Sequence, residues 1–198
     1  MTSITHEYKW TAQRLTATAL LIAIGIVIPV ISPFKIVLEP ASFTLASHVA
    51  IFLAMMVSPS VAVIVTIGTF FGFFMNFPIV VALRAASHIV FAFGGSAYLK
   101  YRPDTLRSPL KSQVFSFFVA IVHAVCEVSV VFFFYFNGAM KGYASVQMVI
   151  LLIGLGSIVH SMIDFGIAYM IYQALRRVPG LGKLFVTSNT NNKVTVQQ

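Results

Sequence analysis

Six long apolar runs, almost stripped of charge, constrain this chain more than any other feature. They cover residues 15–31, 41–58, 61–75, 79–99, 112–136 and 146–175. A helix needs about 20 apolar residues to cross the hydrocarbon core of a bilayer, and runs of this length and continuity match that requirement. They do not alternate with a period of two, which argues against a transmembrane β-barrel. Of the 198 residues 59% are hydrophobic and 9% charged, whereas a soluble domain carries about 25% charge. A small chain cannot hide the surplus in a core, because much of its surface stays exposed. A soluble globule and a disordered chain are both excluded. The expectation is an all-α membrane protein of six transmembrane helices.

Short connections set the neighbours. Ser58-Pro59 and Asn76-Phe77-Pro78 leave room only for tight turns, so the helices on either side pack antiparallel. Basic residues then orient the bundle. Lys9, Arg14, Lys100, Arg102, Arg107, Lys111, Arg176, Arg177, Lys183 and Lys193 fall on one side, Lys35 and Lys141 on the other, and Arg84 within a span. By the positive-inside rule both termini are cytoplasmic. The net charge of +8 is then a matter of topology and of attraction to anionic membrane lipid, and no basic stretch interleaves with aromatics as a nucleic-acid groove requires. The organisation read from this is a cytoplasmic segment at 1–14, a six-helix membrane domain at 15–178, and a polar cytoplasmic tail at 179–198. The first run has a long polar leader and no cleavage pattern, so it reads as a retained helix. The single Cys126 rules out a disulfide framework.

Ionisable residues in hydrocarbon are costly and point to function. Here they come in pairs four apart: Arg84 with His88, His123 with Glu127, and His160 with Asp164. That spacing places both members of each pair on one helix face. At 1.5 Å per residue, Arg84 lies about 9 Å below the outer end of its helix, and Glu127 lies at comparable depth. Asp164 sits deeper. Asn76, Tyr135, Asn137, Ser47 and His48 are expected to complete a polar rim. Arg84 with Glu127 also suits a buried pair that fixes helix register, and His160 with Asp164 a local hydrogen-bonded pair. A metal site built from His123, Glu127, His160 and Asp164, as in an intramembrane metal-dependent enzyme, is set aside. The two pairs are offset in depth, and no His-Glu-x-x-His is present. No P-loop signature occurs, so the chain carries no nucleotide site of its own, and no cofactor is expected. In the first run Ala19-x-x-x-Ala23 forms a flat strip permitting close helix approach, while Gly94-Gly95-Ser96 reads as a cluster for helix packing.

The chain resembles the substrate-binding S components of energy-coupling factor (ECF) vitamin transporters. The resemblance covers residues 10–180 and rests on the length, the six runs, the Ala19/Ala23 strip and a longer outer loop at 32–40. It also rests on the segments Pro40-Ala41-Ser42-Phe43-Thr44-Leu45-Ala46-Ser47-His48 and Leu83-Arg84-Ala85-Ala86-Ser87-His88, similar to a subgroup associated with pantothenate or niacin. The resemblance implies a non-enzymatic subunit of the cell membrane that captures a vitamin from outside under a lid at 32–40. It implies docking, through Ala19 and Ala23, on a membrane scaffold that carries two ATPase subunits. Pantothenate is the expected substrate, with niacin or another B vitamin as the alternative and a standalone secondary transporter as the reading from another class. Arg84 would grip the carboxylate; His88, Asn76, His123, Glu127, Asn137 and His48 would serve its other groups. Should Glu127 neutralise Arg84, the site would be near neutral and Glu127 itself would meet a pyridine or polyol group.

Overall fold

The computed structural model describes residues 10–38, 41–139 and 145–186. Lys9, Lys141, Lys193 and the polar stretch 187–198 lie outside the described residues. Helix α1 (Ala12–Ile31) starts at Thr11, whose hydroxyl accepts the Arg14 N–H at 3.2 Å. A two-stranded antiparallel hairpin follows, β1 (Lys35–Leu38) and β2 (Ala41–Thr44), in register Lys35 to Thr44. Then come α2 (Val49–Val57), α3 (Pro59–Asn76), α4 (Ile79–Tyr101) and α5 (Pro109–Phe136), with a 3₁₀ turn at Pro103–Arg107 between the last two. Helix α6 (Val146–Leu175) is continuous, but its stretch Val149–Leu155 is wound as a π-helix.

Among the described residues, five helices, α1 and α3 to α6, are long and apolar enough to cross a membrane. This corrects the expectation of six spanning helices. The run at 41–58 divides instead into β2, a turn, and the nine-residue α2, whose length of about 14 Å falls well short of a bilayer core of about 30 Å. Two local features account for the break. Ala46 takes a φ of 67°, which a helix of L-residues does not accommodate. The polar groups around it bond elsewhere, as described below. The loop at 32–40, expected as an outer lid, contributes β1 of the hairpin.

All nine residues of α2 are buried, as expected of a helix apolar on every side. It packs against α1, α3, α4 and α6 and forms the middle of the core. There Phe52 meets Phe165 edge-on at a centroid distance of 5.3 Å and Phe91 at 5.6 Å. Ser58 ends α2 and caps α3 by accepting the Val61 N–H at 3.3 Å, with Pro59 pre-set for the first helical turn.

Both ends of the described chain lie together. Gln13 donates to the Gly180 carbonyl at 3.2 Å, and the Val186 N–H donates to the Met56 carbonyl at 2.9 Å. Leu184, Phe185 and Val186 are buried, with Phe185 edge-on to Tyr172 at 5.1 Å. The tail expected from 179 onward is therefore packed on the core as far as 186, because its Leu-Phe-Val run supplies apolar surface. Lys100, Arg102, Arg107, Lys111, Arg176, Arg177 and Lys183 gather at this end by the order of the helices, and Lys35 lies at the opposite, hairpin end.

Candidate functional site

The sequence pairs converge on one another. Arg84 on α4 and Glu127 on α5 meet at 3.0 Å between Nη2 and Oε2, both buried. Ser157 on α6 donates its hydroxyl to the same Oε2. The other oxygen, Oε1, lies 3.3 Å from His88 Nε2 and 3.4 Å from His123 Nε2. Arg84 and Glu127 thus share a depth, as their positions along the helices implied.

Asp164 is different in kind. Its Oδ1 accepts the Ala46 N–H at 2.7 Å, and its Oδ2 accepts both the His48 N–H at 2.9 Å and His48 Nδ1 at 3.0 Å. A carboxylate from α6 therefore satisfies two amides of the turn leading into α2, one of them that of the N-cap His48, where the helix dipole favours negative charge. It also fixes the His48 ring. His160 Nε2 lies 3.4 Å from Asp164 Oδ2 and 3.2 Å from the Ser47 hydroxyl. The local pair expected for His160 and Asp164 is present, but the stronger bonds of Asp164 run to the turn at 46–48.

His48 joins the two groups. Its ring centroid lies 4.7 Å from His88, 4.8 Å from His123 and 4.9 Å from His160, each edge-on. The fifth- and sixth-run pairs stay apart in depth, since Glu127 is level with Ser157, seven residues before Asp164 on α6, and a residue delivered by the turn before α2 bridges them. The π-helical stretch of α6 ends just before Ser157 and His160, both of which face this cluster; such stretches often re-aim side chains at functional sites.

A cavity of about 550 Å³ opens beside the cluster, lined among others by Lys35, Phe43, His48, Phe77, Arg84, Glu127 and His160. Pro29, Phe73 and Pro78 also line it, so it lies toward the hairpin end. Lys35 reaches over the Phe77 ring, 5.4 Å from its centroid, and donates to the Pro29 carbonyl at 3.1 Å. The Nε of Arg84 is buried with no hydrogen-bond partner among the described residues. A larger cavity of about 680 Å³ between α4 and α5 is lined by apolar residues such as Val90, Phe118 and Val122, with Lys111 its one charged lining residue. It contains none of the polar cluster.

Of the expected site residues, Arg84, His88, His123, Glu127 and His48 come together. Asn76 and Asn137 do not: their amides donate back to their own helices, at 2.8 Å to the Gly72 carbonyl and 2.7 Å to the Phe133 carbonyl, and neither lines the cavity. Ser157, Lys35 and Phe43 carry no spacing signal in the sequence, and the structure adds them. Ala19 and Ala23 are exposed on the outer face of α1.

No protein-family model matches the chain, and no solved structure matches it. A niacin transporter, NiaX of Lactococcus lactis subsp. cremoris (strain MG1363), is 36% identical over 202 aligned residues, covering 99% of this chain and 89% of that protein. With full-length similarity at that level, five membrane-length helices and a polar cavity between them, the chain belongs to the same family of multi-pass membrane transport proteins as NiaX.

Proposed function

We propose that this protein is the substrate-capture subunit of a vitamin importer of the energy-coupling factor type and that its substrate is niacin. Pantothenate, the substrate first expected, gives way because the full-length relative is a niacin transporter. The observation that carries the reading is the buried Arg84 at the cavity wall, with Nε left without a partner while Nη2 holds Glu127. A planar carboxylate suits a guanidinium edge, so Arg84 receives the nicotinate carboxylate with Lys35 closing from the rim. The pyridine ring lies among Phe43, Phe77 and His160. Charge distribution supports the direction of entry. The hairpin end holds Lys35, the other end most of the described cations, and the positive-inside rule makes the hairpin end the exterior. The exposed Ala19 and Ala23 leave α1 free to meet the scaffold subunit, and the ATPase subunits supply the energy.

Equilibrium binding of nicotinate, nicotinamide and pantothenate to the purified chain tests this. Nicotinate should bind at least about tenfold tighter than nicotinamide, which lacks the charge, since a hydrogen bond to a charged group contributes about 1.5–3 kcal/mol. Arg84→Gln should weaken nicotinate by a similar factor or more. Equal affinity for the acid and the amide, or tighter binding of pantothenate, would overturn the assignment.

A further inference from the structure

Four of the chain's five histidines meet in one buried cluster; His6 lies outside the described residues. Carboxylate recognition by Arg84 does not call for so many imidazoles, and one of them makes no hydrogen bond among the described residues, its nearest polar contact being Glu127 Oε1 at 3.4 Å. His123 is 0% exposed, yet neither Nδ1 nor Nε2 has a hydrogen-bond partner among the described residues. A buried polar group in that state is costly. The metal-capable atoms of His48, His88, His123 and Glu127 all lie within 4.8 Å of one another.

We propose that His48, His88, His123 and Glu127 bind one divalent transition-metal cation of the zinc type. Four ligands about 2.0–2.1 Å from a tetrahedral zinc lie about 3.3 Å apart, so inward side-chain movements of about 1 Å close the site. Imidazole with carboxylate suits zinc, copper, nickel or iron better than magnesium or calcium.

The surroundings already have the form that orients metal ligands. Arg84 and Ser157 both hold Glu127 Oε2, which leaves Oε1 toward His88 and His123. Asp164 holds His48 Nδ1 and leaves Nε2 to coordinate, the carboxylate–histidine–metal arrangement. The alternative trio of His48, His160 and Asp164 is the poorer site, because the Asp164 oxygens are committed to two backbone amides and the His48 ring. Charge is compatible as well. With neutral imidazoles, Glu127 and Asp164 outweigh Arg84 by one negative charge, so a dication leaves one positive charge beside a cavity read as taking an anion. Metal binding does not depend on that reading, and it is tested without any vitamin.

The full-length chain carrying His6→Ala, purified with its affinity tag removed and stripped with a chelator, is titrated with CoCl₂. The expected result is saturation at one Co²⁺ per chain, with the intense visible absorption of a four-coordinate nitrogen–oxygen site that ZnCl₂ abolishes. His123→Gln and His88→Gln should each weaken Co²⁺ binding by at least about tenfold. Binding far below one equivalent, the weak absorption of a hexa-aquo-like ion, or an unchanged titration in a folded His123→Gln protein would overturn the proposal. If the variants do not fold, the parent titration decides alone, since the site predicts its stoichiometry and spectrum.

Discussion

Asp164 shows how much of this molecule depends on single side chains. It lies more than a hundred residues from Ala46 and His48, yet its carboxylate accepts both of their backbone amides and one His48 ring nitrogen. Asp164→Ala leaves those buried donors without a partner, and each orphaned group costs about 1–3 kcal/mol. The total loss should reach about 3 kcal/mol or more, read as a clear drop in unfolding temperature of the detergent-solubilised protein. Asp164→Asn retains one acceptor oxygen and should fall between the two. A parent-like melting temperature for Asp164→Ala would show that the turn at 46–48 holds without it. Residues of this kind divide what could be read in advance from what could not. Arg84, His88, His123 and Glu127 were legible, because four-residue spacing on a helix fixes a shared face and charge in hydrocarbon demands a partner. The central place of His48 was not. It follows from a non-helical turn at Ala46 whose bonds come from a distant helix, and neither hydropathy nor spacing encodes that. Asn76 and Asn137 stand apart from the cluster for a related reason: near a helix end, an amide side chain can bond to the carbonyl four residues back as readily as to a ligand.

At the level of elements, apolar runs located five helices within a few residues at most ends. The second run, 41–58, misled because α2 is as apolar as a lipid-facing helix while being buried on every side, and hydropathy does not distinguish lipid from protein. Small residues were similarly ambiguous. Close approach between α1 and α3 rests on glycines of α3: a Cβ on Gly68 would sit 2.7 Å from Ile22 Cγ2, and one on Gly72 would sit 2.5 Å from Ile26 Cγ1. This is the small-xxx-small packing of membrane helices, formed by Gly68 and Gly72 where the sequence drew attention to Ala19 and Ala23. Gly72→Val should force the two helices apart and destabilise by about 1–3 kcal/mol, the range for overpacking. Gly94→Ala provides the contrast, because its Cβ would meet nothing within 4 Å. It should be neutral or slightly stabilising, since alanine is the better helix former by about 1 kcal/mol. Thermal unfolding of the two variants side by side separates contact from propensity, and equal melting temperatures would deny the α1–α3 contact its role.

Across the whole molecule the polar cavity and the packed ends of the chain lie at opposite poles, joined by a core around α2. On the outside, α1 keeps an apolar face that none of the described residues covers: Leu15, Leu20, Ile24 and Val27 are exposed beside Ala19 and Ala23. Lipid covers such a face equally well, so what marks this one is its relief, two methyl-sized positions one turn apart between larger side chains. A helix of another subunit can approach there more closely than along a wall of leucines. The proposed scaffold subunit would use that groove, and the polar cavity, lined by the hairpin and α3 to α6 with Pro29 as its lining residue from α1, need not change its contacts when it does. Ala19→Trp should therefore fill the groove and stop scaffold and ATPase subunits from co-purifying with a tagged copy of this chain, while nicotinate affinity stays within about twofold of the parent. Two results would count against this surface. Undiminished co-purification would place the partner elsewhere. Loss of nicotinate binding together with the partner would mean that the substitution reached the fold through α3, in which case the outer face of α1 is not the independent docking element that its exposure implies.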